Sequence, residues 1–409
     1  MRILYVNPYA GGPGVGRYWR AYHLAREWKE AGHEITIVSP AYHHLMDGGA
    51  MATGLSQHGG VDYNFLPALE YVGNGLKRLL AMLFFGITLL WFLIRLPRSS
   101  RPDLIIYSSA HPFAYPSALL MAKLYRSRIY FEVRDLWPLS LVEVAGVSVR
   151  HPIVWLLEKI ERLAYRASDK VISLLPGAFD YMGARGLSSD RFVYAPNGFS
   201  FAPSTKPAES HPLLEDLQVF RRNGEFIYFY AGALGEPNAM HKFVDALHYL
   251  TPPADCKIRF VIVGKGEQAE ALRRRCAECS FDFVSFYEQV DKSIIVQALK
   301  NVDAGFFVMH DLPIYRFGIS LNKLYDYMAL AVPVVGAYHA YNDPLSDAGC
   351  GIQVSPDHPE DLAAAFTSLA LCDQGTLQAM GERGKAYLTV NFEYAAIARK
   401  ILACSKESA

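Results

Sequence analysis

The residues most able to do chemistry lie close together in residues 317–333, where Ser320, Asn322, Lys323 and Asp326 fall within two turns of a helical pattern. Gly318 offers a turn, Ser320 an N-cap, and Leu324, next to Lys323 on the first helical turn, is counted with them among the donor-binding residues. The helix stops before Pro333, which opens the apolar run Pro333-Val334-Val335-Gly336. Backbone N–H groups of residues 319–322 would then face outward at the positive end of the helix dipole, with the Lys323 ammonium beside them and the Asp326 carboxylate one turn further on. That arrangement cradles a nucleotide diphosphate and leaves a carboxylate for ribose hydroxyls. From these residues alone, a capped surface helix with two solvated charges fits as well.

A second group sits where strands end. The segment Phe131-Glu132-Val133-Arg134-Asp135-Leu136-Trp137-Pro138 follows a strand pattern at 129–133, and Ser108-Ser109-Ala110-His111-Pro112 follows one at 104–107. Ligands of open α/β sheets bind at carboxyl strand ends, so Glu132, Arg134, Asp135 and His111 are candidates. The first three could position a leaving diphosphate or an acceptor hydroxyl, or form a structural ion pair with one another. Gly11, Gly12, Gly14 and Gly16 precede Arg17 after the first strand, a loop able to let substrate approach the backbone. Their order is not G-x-G-x-x-G, and the next strand ends in Ser39-Pro40 where a ribose-binding acid would stand, which argues against a nicotinamide cofactor. His43-His44 reads as packed or solvated, and Cys276-x-x-Cys279 has no second pair to complete a metal site, so no metal is expected.

These residues need a scaffold of alternating strands and helices, and the chain supplies two. Its 409 residues suit two domains of about 200 each. Forty basic residues balance forty acidic ones, so no overall field selects nucleic acid as a partner. Strand 2–7, helix 17–31 and strand 34–38 open a doubly wound first domain over 1–198. Residues 47–60, polar and glycine-rich, read as a mobile acceptor-side loop, and the Pro/Ser-rich stretch 198–224 as the domain boundary. A second alternation over 225–385 places glycine turns at Gly232, Gly264 (followed by Lys265) and Gly318 after its strands. The last helical segment, 374–402, is long enough for residues 386–409 to pack back on the first domain.

One stretch stands apart. Residues 79–94 are almost continuously apolar, flanked by Lys77 and Arg78 before and Arg95, Arg98 and Arg101 after. The run is shorter than the roughly 20 residues of a bilayer span, and a crossing would split the first domain, so an interfacial helix near 77–98 with basic flanks is expected, the alternative being an apolar helix that covers one sheet face. The N-terminus enters a strand directly, without a leader pattern, so a reducing cytoplasm is the expected setting.

In combination, Gly11-Gly12 to Arg17, Ala31-Gly32-His33-Glu34, residues 131–138, Pro196-Asn197-Gly198, Tyr230-Ala231-Gly232, Val263-Gly264-Lys265-Gly266 and residues 320–329 resemble the GT-B retaining glycosyltransferases of family 4, especially the WbuB-like bacterial polysaccharide branch. The resemblance implies two Rossmann-like domains facing a cleft, the second binding a nucleotide sugar, UDP-linked by expectation, and the first binding a lipid-linked saccharide at the cytoplasmic face of the inner membrane. It implies that Asp326 is the second acid of the family's Glu-x₇-Glu motif and holds the ribose. The first acid falls on Gly318, and the basic pair usual after the Gly232 loop is missing, so Arg316 and Lys323, with Lys265, are expected to neutralise the diphosphate. Arg134 stands where many relatives have histidine. The activity implied is sugar transfer with retention and without a cofactor; a nucleotide-sugar epimerase of the same fold and a non-catalytic nucleotide-sugar-binding subunit are the alternatives.

Overall fold

In the computed structural model, residues 1–73, 75–200 and 211–404 are described. The chain forms two compact units, Met1–Gly198 with Tyr394–Ala409, and Phe199–Glu393. Each is built on one sheet with helices on both faces, the arrangement in which strands read as buried apolar runs rather than alternating ones.

The first sheet has eight strands: β1 (Arg2–Val6), β2 (Glu34–Pro40), β3 (Gly54–His58), β4 (Val61–Leu66), β5 (Leu104–Ser109), β6 (Arg128–Val133), β7 (Lys170–Ser173) and β8 (Phe192–Tyr194). Their order is β3-β4-β2-β1-β5-β6-β7-β8, parallel except for β3 against β4. The second sheet holds β9 (Glu225–Ala231), β10 (Lys257–Val263), β11 (Val284–Tyr287), β12 (Ala304–Val308), β13 (Val334–Ala337) and β14 (Gly351–Val354), all parallel, in the order β11-β10-β9-β12-β13-β14. Strand order reverses between β1 and β5 in one sheet and between β9 and β12 in the other. These switch points are where an open sheet leaves a crevice at its carboxyl edge.

Two boundaries differ from those expected. Residues 47–60 are not one loop: β3 and β4 form an antiparallel hairpin closed by Gly59-Gly60, both at positive φ, with His58 paired to Val61. A two-residue turn of this kind matches the twist of the strands it joins. The C-terminal return begins at Tyr394 rather than 386, because Gln374–Phe392 is a single helix of the second unit. The helix Tyr394–Ala403 then packs on Arg20–Glu30, with Trp28 Nε1 donating to the Ala398 carbonyl at 3.0 Å. Within the expected boundary stretch, the helix Pro212–Arg222 caps the second sheet by burying Leu213 and Leu217.

The apolar stretch forms the helix Leu76–Arg95, long and apolar enough by length and composition to cross a membrane, with a third of its most apolar window buried. It lies along the helix Tyr115–Tyr125, and Ser117 Oγ donates to the Gly86 carbonyl at 2.9 Å. Met82, Phe85, Leu89 and Leu93 face the domain; burying each of the larger side chains stabilises by roughly 1.5–3 kcal/mol. Leu80, Leu83, Ile87, Trp91 and Ile94, spaced by three and four, form an exposed row on the other side.

Candidate active site

In the second unit the loops after β9 and β10 meet. A Cβ on Gly264 would lie 1.9 Å from the Gly232 carbonyl oxygen, so only glycine lets these backbones touch. Leu234 N donates to the Lys265 carbonyl at 2.9 Å and completes the junction. The helix Asn322–Ala329 is set against it by Tyr327, buried in the core, whose hydroxyl receives the Ala231 N–H at 3.4 Å. That placement carries Lys323 to the β9 loop. Its Nζ donates to Asn238 Oδ1 at 2.6 Å and to the Tyr230 hydroxyl at 3.2 Å, above the Tyr230 ring. Among the described residues no carboxylate pairs with it. Desolvation by burial therefore stands unopposed and pushes the ammonium down to about 7.

The helix start differs in detail from the expected cradle. The cap residue is Leu321, not Ser320, and it makes no side-chain capping bond. Ser320 Oγ instead meets the Tyr325 hydroxyl at 3.2 Å, and the Ile319 N–H is taken by Asn342 Oδ1 at 2.8 Å. Asn322 is exposed, whereas Leu324 is buried in the core and does not join the donor-binding group expected of it. Gly318 has φ of 112°, a conformation closed to a glutamate, so the missing first acid is excluded by backbone as well as by sequence. Asp326 is ion-paired with Lys292 from the helix Lys292–Leu299; burial raises its pKa and Lys292 opposes the rise. Arg316 is exposed, its guanidinium over the Phe317 ring and donating to the Pro313 carbonyl, and Lys265 is exposed.

In the first unit Glu132 lies fully buried at the end of β6. Arg20 reaches its Oε1 through Nε and Nη2 at 3.0 and 2.9 Å, while Tyr5 and Ser108 hydroxyls each donate to Oε2 at 2.6 Å. Burial raises this carboxyl's pKa, but Arg20 and the hydrogen bonds from Ser108 and Tyr5 together hold it below the usual range. With every lone pair engaged in the core, Glu132 is a structural anchor and not the substrate-facing group expected. Arg20 also donates to the Ala195 and Pro196 carbonyls, fixing the segment that ends at Gly198. Within residues 131–138, Arg134 and Trp137 are half-buried and Asp135 is exposed. The Arg134 guanidinium lies 5.2 Å from the ring of Tyr18, and the Asp135 carboxyl is raised by desolvation against the opposing charge of Arg134.

The glycine loop is closed on itself: Gly12 N donates to the Gly16 carbonyl, and Arg17 N to the Leu45 carbonyl at 3.0 Å. Around Gly14 there is open space, whereas Gly12 packs against Tyr63. Arg17 makes a surface pair with Asp47, and His111 is buried.

Residues 14–198 match the family model for the glycosyl transferase 4-like domain, and residues 225–371 that for glycosyl transferases group 1, so the two matches span most of the chain. The chain is a glycosyltransferase of the GT-B type. Sucrose-phosphate synthase from Thermosynechococcus elongatus shares its fold at a TM-score of 0.71 and 16% identity, over 99% of this chain and 98% of that one. HepE from Anabaena, solved with UDP-glucose, does so at 0.64 and 14% over the whole of both chains. WaaG, a glycosyltransferase involved in lipopolysaccharide biosynthesis, does so at 0.65 and 13% over 99% of each. No curated protein sequence matches the chain.

The GT-B glycosyltransferase thus brings Lys323, Gly232 and Gly264 into one place, and sets Asp326 on the same helix. Tyr230, Asn238, Lys292 and Asn342, which complete that arrangement, were not identified from sequence, although Tyr230 ends a strand beside the Gly232 turn. Asp311, His339 and Asp357 offer ligand atoms within 4.8 Å of one another, but all are exposed and Lys242 occupies Asp357 at 2.7 Å.

A further buried carboxylate, Glu161, accepts from the Tyr165 and Tyr181 hydroxyls and lies 3.2 Å from Arg185. Desolvation by burial outweighs these partners and raises it to about 7. The folded state then binds the proton more tightly than the unfolded one, so stability falls as pH rises from the unfolded value through 7. Relative to Glu161→Gln, the wild type is expected to lose about 3 kcal/mol between pH 4.5 and 8, read from urea unfolding at both values. A constant difference between the two proteins would show that Glu161 titrates normally.

Proposed function

We propose that this glycosyltransferase moves a sugar from a nucleotide diphosphate sugar, with UDP as carrier, to a lipid-linked saccharide in cell-surface polysaccharide assembly, keeping the anomeric configuration. The observation carrying this reading is the Lys323 ammonium, held by Tyr230 and Asn238 at the β9 glycine loop with no carboxylate partner among the described residues. It places a cation where the loop itself has none, suited to a departing diphosphate. Asp326 holds the ribose after exchanging Lys292 for hydroxyls, Arg316 and Lys265 supply charge from the surface, and the donor phosphate takes the acceptor proton, so neither a cofactor nor a metal is called for. Arg134 and Asp135 face the acceptor. HepE, which shares the fold, was solved with UDP-glucose, in keeping with a UDP-linked donor, and the run Lys323-Leu324-Tyr325-Asp326-Tyr327-Met328 supports the WbuB-like branch.

A panel of nucleotide diphosphate sugars tests the donor: the true one raises the melting temperature through binding to the folded state. Added to a polyprenyl-diphosphate-linked saccharide, it yields an extended product with the donor's anomeric configuration. Conversion of the donor without any acceptor would instead identify an epimerase, and binding without conversion a non-catalytic subunit.

The exposed row of the helix Leu76–Arg95, with the Arg95 guanidinium 3.8 Å from the Trp91 ring centroid, docks the enzyme peripherally on the anionic cytoplasmic face of the inner membrane. Ile87→Asp with Trp91→Asp is expected to lower binding to phosphatidylglycerol vesicles at least tenfold (about 1.4 kcal/mol) while leaving the melting temperature unchanged. Phe85→Ala, by contrast, empties a core position and costs about 3–5 kcal/mol of stability. Unaltered vesicle binding by the double variant would refute membrane docking through this helix.

A further inference from the structure

We propose a second anion site on the first unit, built for a diphosphate group, where the first turn of the helix Leu76–Arg95 meets the segments that follow β1, β2 and β5. The helix begins after Gly75, which makes no side-chain capping bond, and carries no acidic residue in its first turn. Its positive end is therefore not neutralised from within the helix. Lys77 and Arg78 add two cations on that turn.

Arg78 reaches back toward the sheet. Its Nη2 donates to the Tyr9 hydroxyl at 3.2 Å, and its guanidinium lies 5.7 and 6.0 Å from the ring centroids of Tyr9 and Tyr71. The Tyr71 hydroxyl in turn sits 3.0 Å from His44 Nδ1. Independently of the helix start, His111 stands against Tyr9 with ring centroids 5.7 Å apart, 1% exposed, and its Nδ1 meets no partner among the described residues. A buried imidazole nitrogen in that state is costly unless a ligand meets it. Desolvation and the charge of Arg78 keep both His44 and His111 neutral near pH 7, so each offers one N–H.

Guanidinium, ammonium, two phenols, two imidazoles and a helix N-terminus form a set of donors with few acceptors, the chemistry that selects a phosphate-bearing ligand over a neutral sugar. The place selects its source. The same helix presents Leu80, Leu83, Ile87 and Trp91 outward, so a diphosphate held at its head belongs to a lipid whose chain follows that row. The inference rests on the reading of a membrane-bound, lipid-linked acceptor and names the group by which it is held.

The test uses the full chain and two kinds of phosphatidylcholine vesicle of equal surface charge, one doped with a polyprenyl diphosphate and one with phosphatidylglycerol. Wild type is expected to bind the diphosphate vesicles about tenfold more tightly, with the preference abolished in Arg78→Gln, reduced in His44→Ala and partly kept in Arg78→Lys. Equal binding of wild type to both vesicles, or an equal loss on both in Arg78→Gln, overturns the diphosphate site and leaves membrane docking standing. Binding to neither overturns both. Unchanged melting temperatures of the Arg78 and His44 variants, whose side chains are not fully buried, separate lost recognition from lost folding.

Discussion

Replacing Lys323 by methionine is expected to weaken UDP binding by about 10- to 100-fold, the range for losing a charge-assisted hydrogen bond to phosphate. The side chain is nearly isosteric, and the Tyr230 hydroxyl keeps its own bond to the Ala233 carbonyl, so the fold should survive. Removing a partly desolvated cation that lacks a counter-ion should leave the melting temperature equal or raise it, the usual exchange between stability and function at a binding site. The pH dependence gives a second and sharper signature. Burial holds Lys323 at about 7 in the free protein, and a bound diphosphate, by supplying opposite charge, raises it. Above pH 7 binding must therefore recruit a proton, and affinity falls by up to tenfold per pH unit until the bound value is reached. Calorimetry in two buffers of different ionisation enthalpy, at pH 8, should show uptake of close to one proton in the wild type and none in the variant. Equal affinity and equal pH slope for the two proteins would place the donor elsewhere.

The alternation of strands and helices sufficed to read the second sheet and the strands of the first other than β3 and β4, because parallel strands buried on two faces leave apolar runs that few other arrangements produce. The β3–β4 hairpin was obscured by composition: Gly59-Gly60 between alternating residues is a turn signal, but the surrounding polar and glycine residues read as loop. The helix start at 322 was hidden for a different reason. Asn342, which takes the Ile319 N–H, is 23 residues away, and the partners of Lys323 are 85 and 93 residues away. No local pattern encodes such bonds. Likewise, the run 79–94 is apolar all round, so its sequence could not say that Phe85 faces inward and Trp91 outward; the approach of Gly86 to Ala114 and Ser117 decides that.

Glu132 shows how a residue type at the right strand end can still mislead, and breaking its ion pair is expected to cost as much stability as emptying a core position. Its side chain and that of Arg20 are 0% and 3% exposed. Removing one member of such a pair strands the other in a low-dielectric interior, at a cost of about 3–5 kcal/mol. Arg20→Met should be the worse case, because it also frees the Ala195 and Pro196 carbonyls and leaves Glu132 with only two hydroxyl donors. Each kcal/mol moves the midpoint by about 2–4 °C in a domain of this size, so the melting temperature should fall by roughly 10 °C. Glu132→Gln keeps the shape but not the charge. Since the folded-state pKa of Glu132 is depressed, the stability it contributes is present above the unfolded carboxylate pKa and lost as pH falls through the folded value. The glutamine variant should accordingly differ most from wild type at neutral pH and converge with it in acid. A catalytic Glu132 would behave otherwise, with Glu132→Gln folding normally and losing turnover alone. Unfolding midpoints at pH 7 and pH 3.5, measured beside turnover at a temperature where all variants are folded, separate an anchor of the β6 edge from a group that meets the substrate.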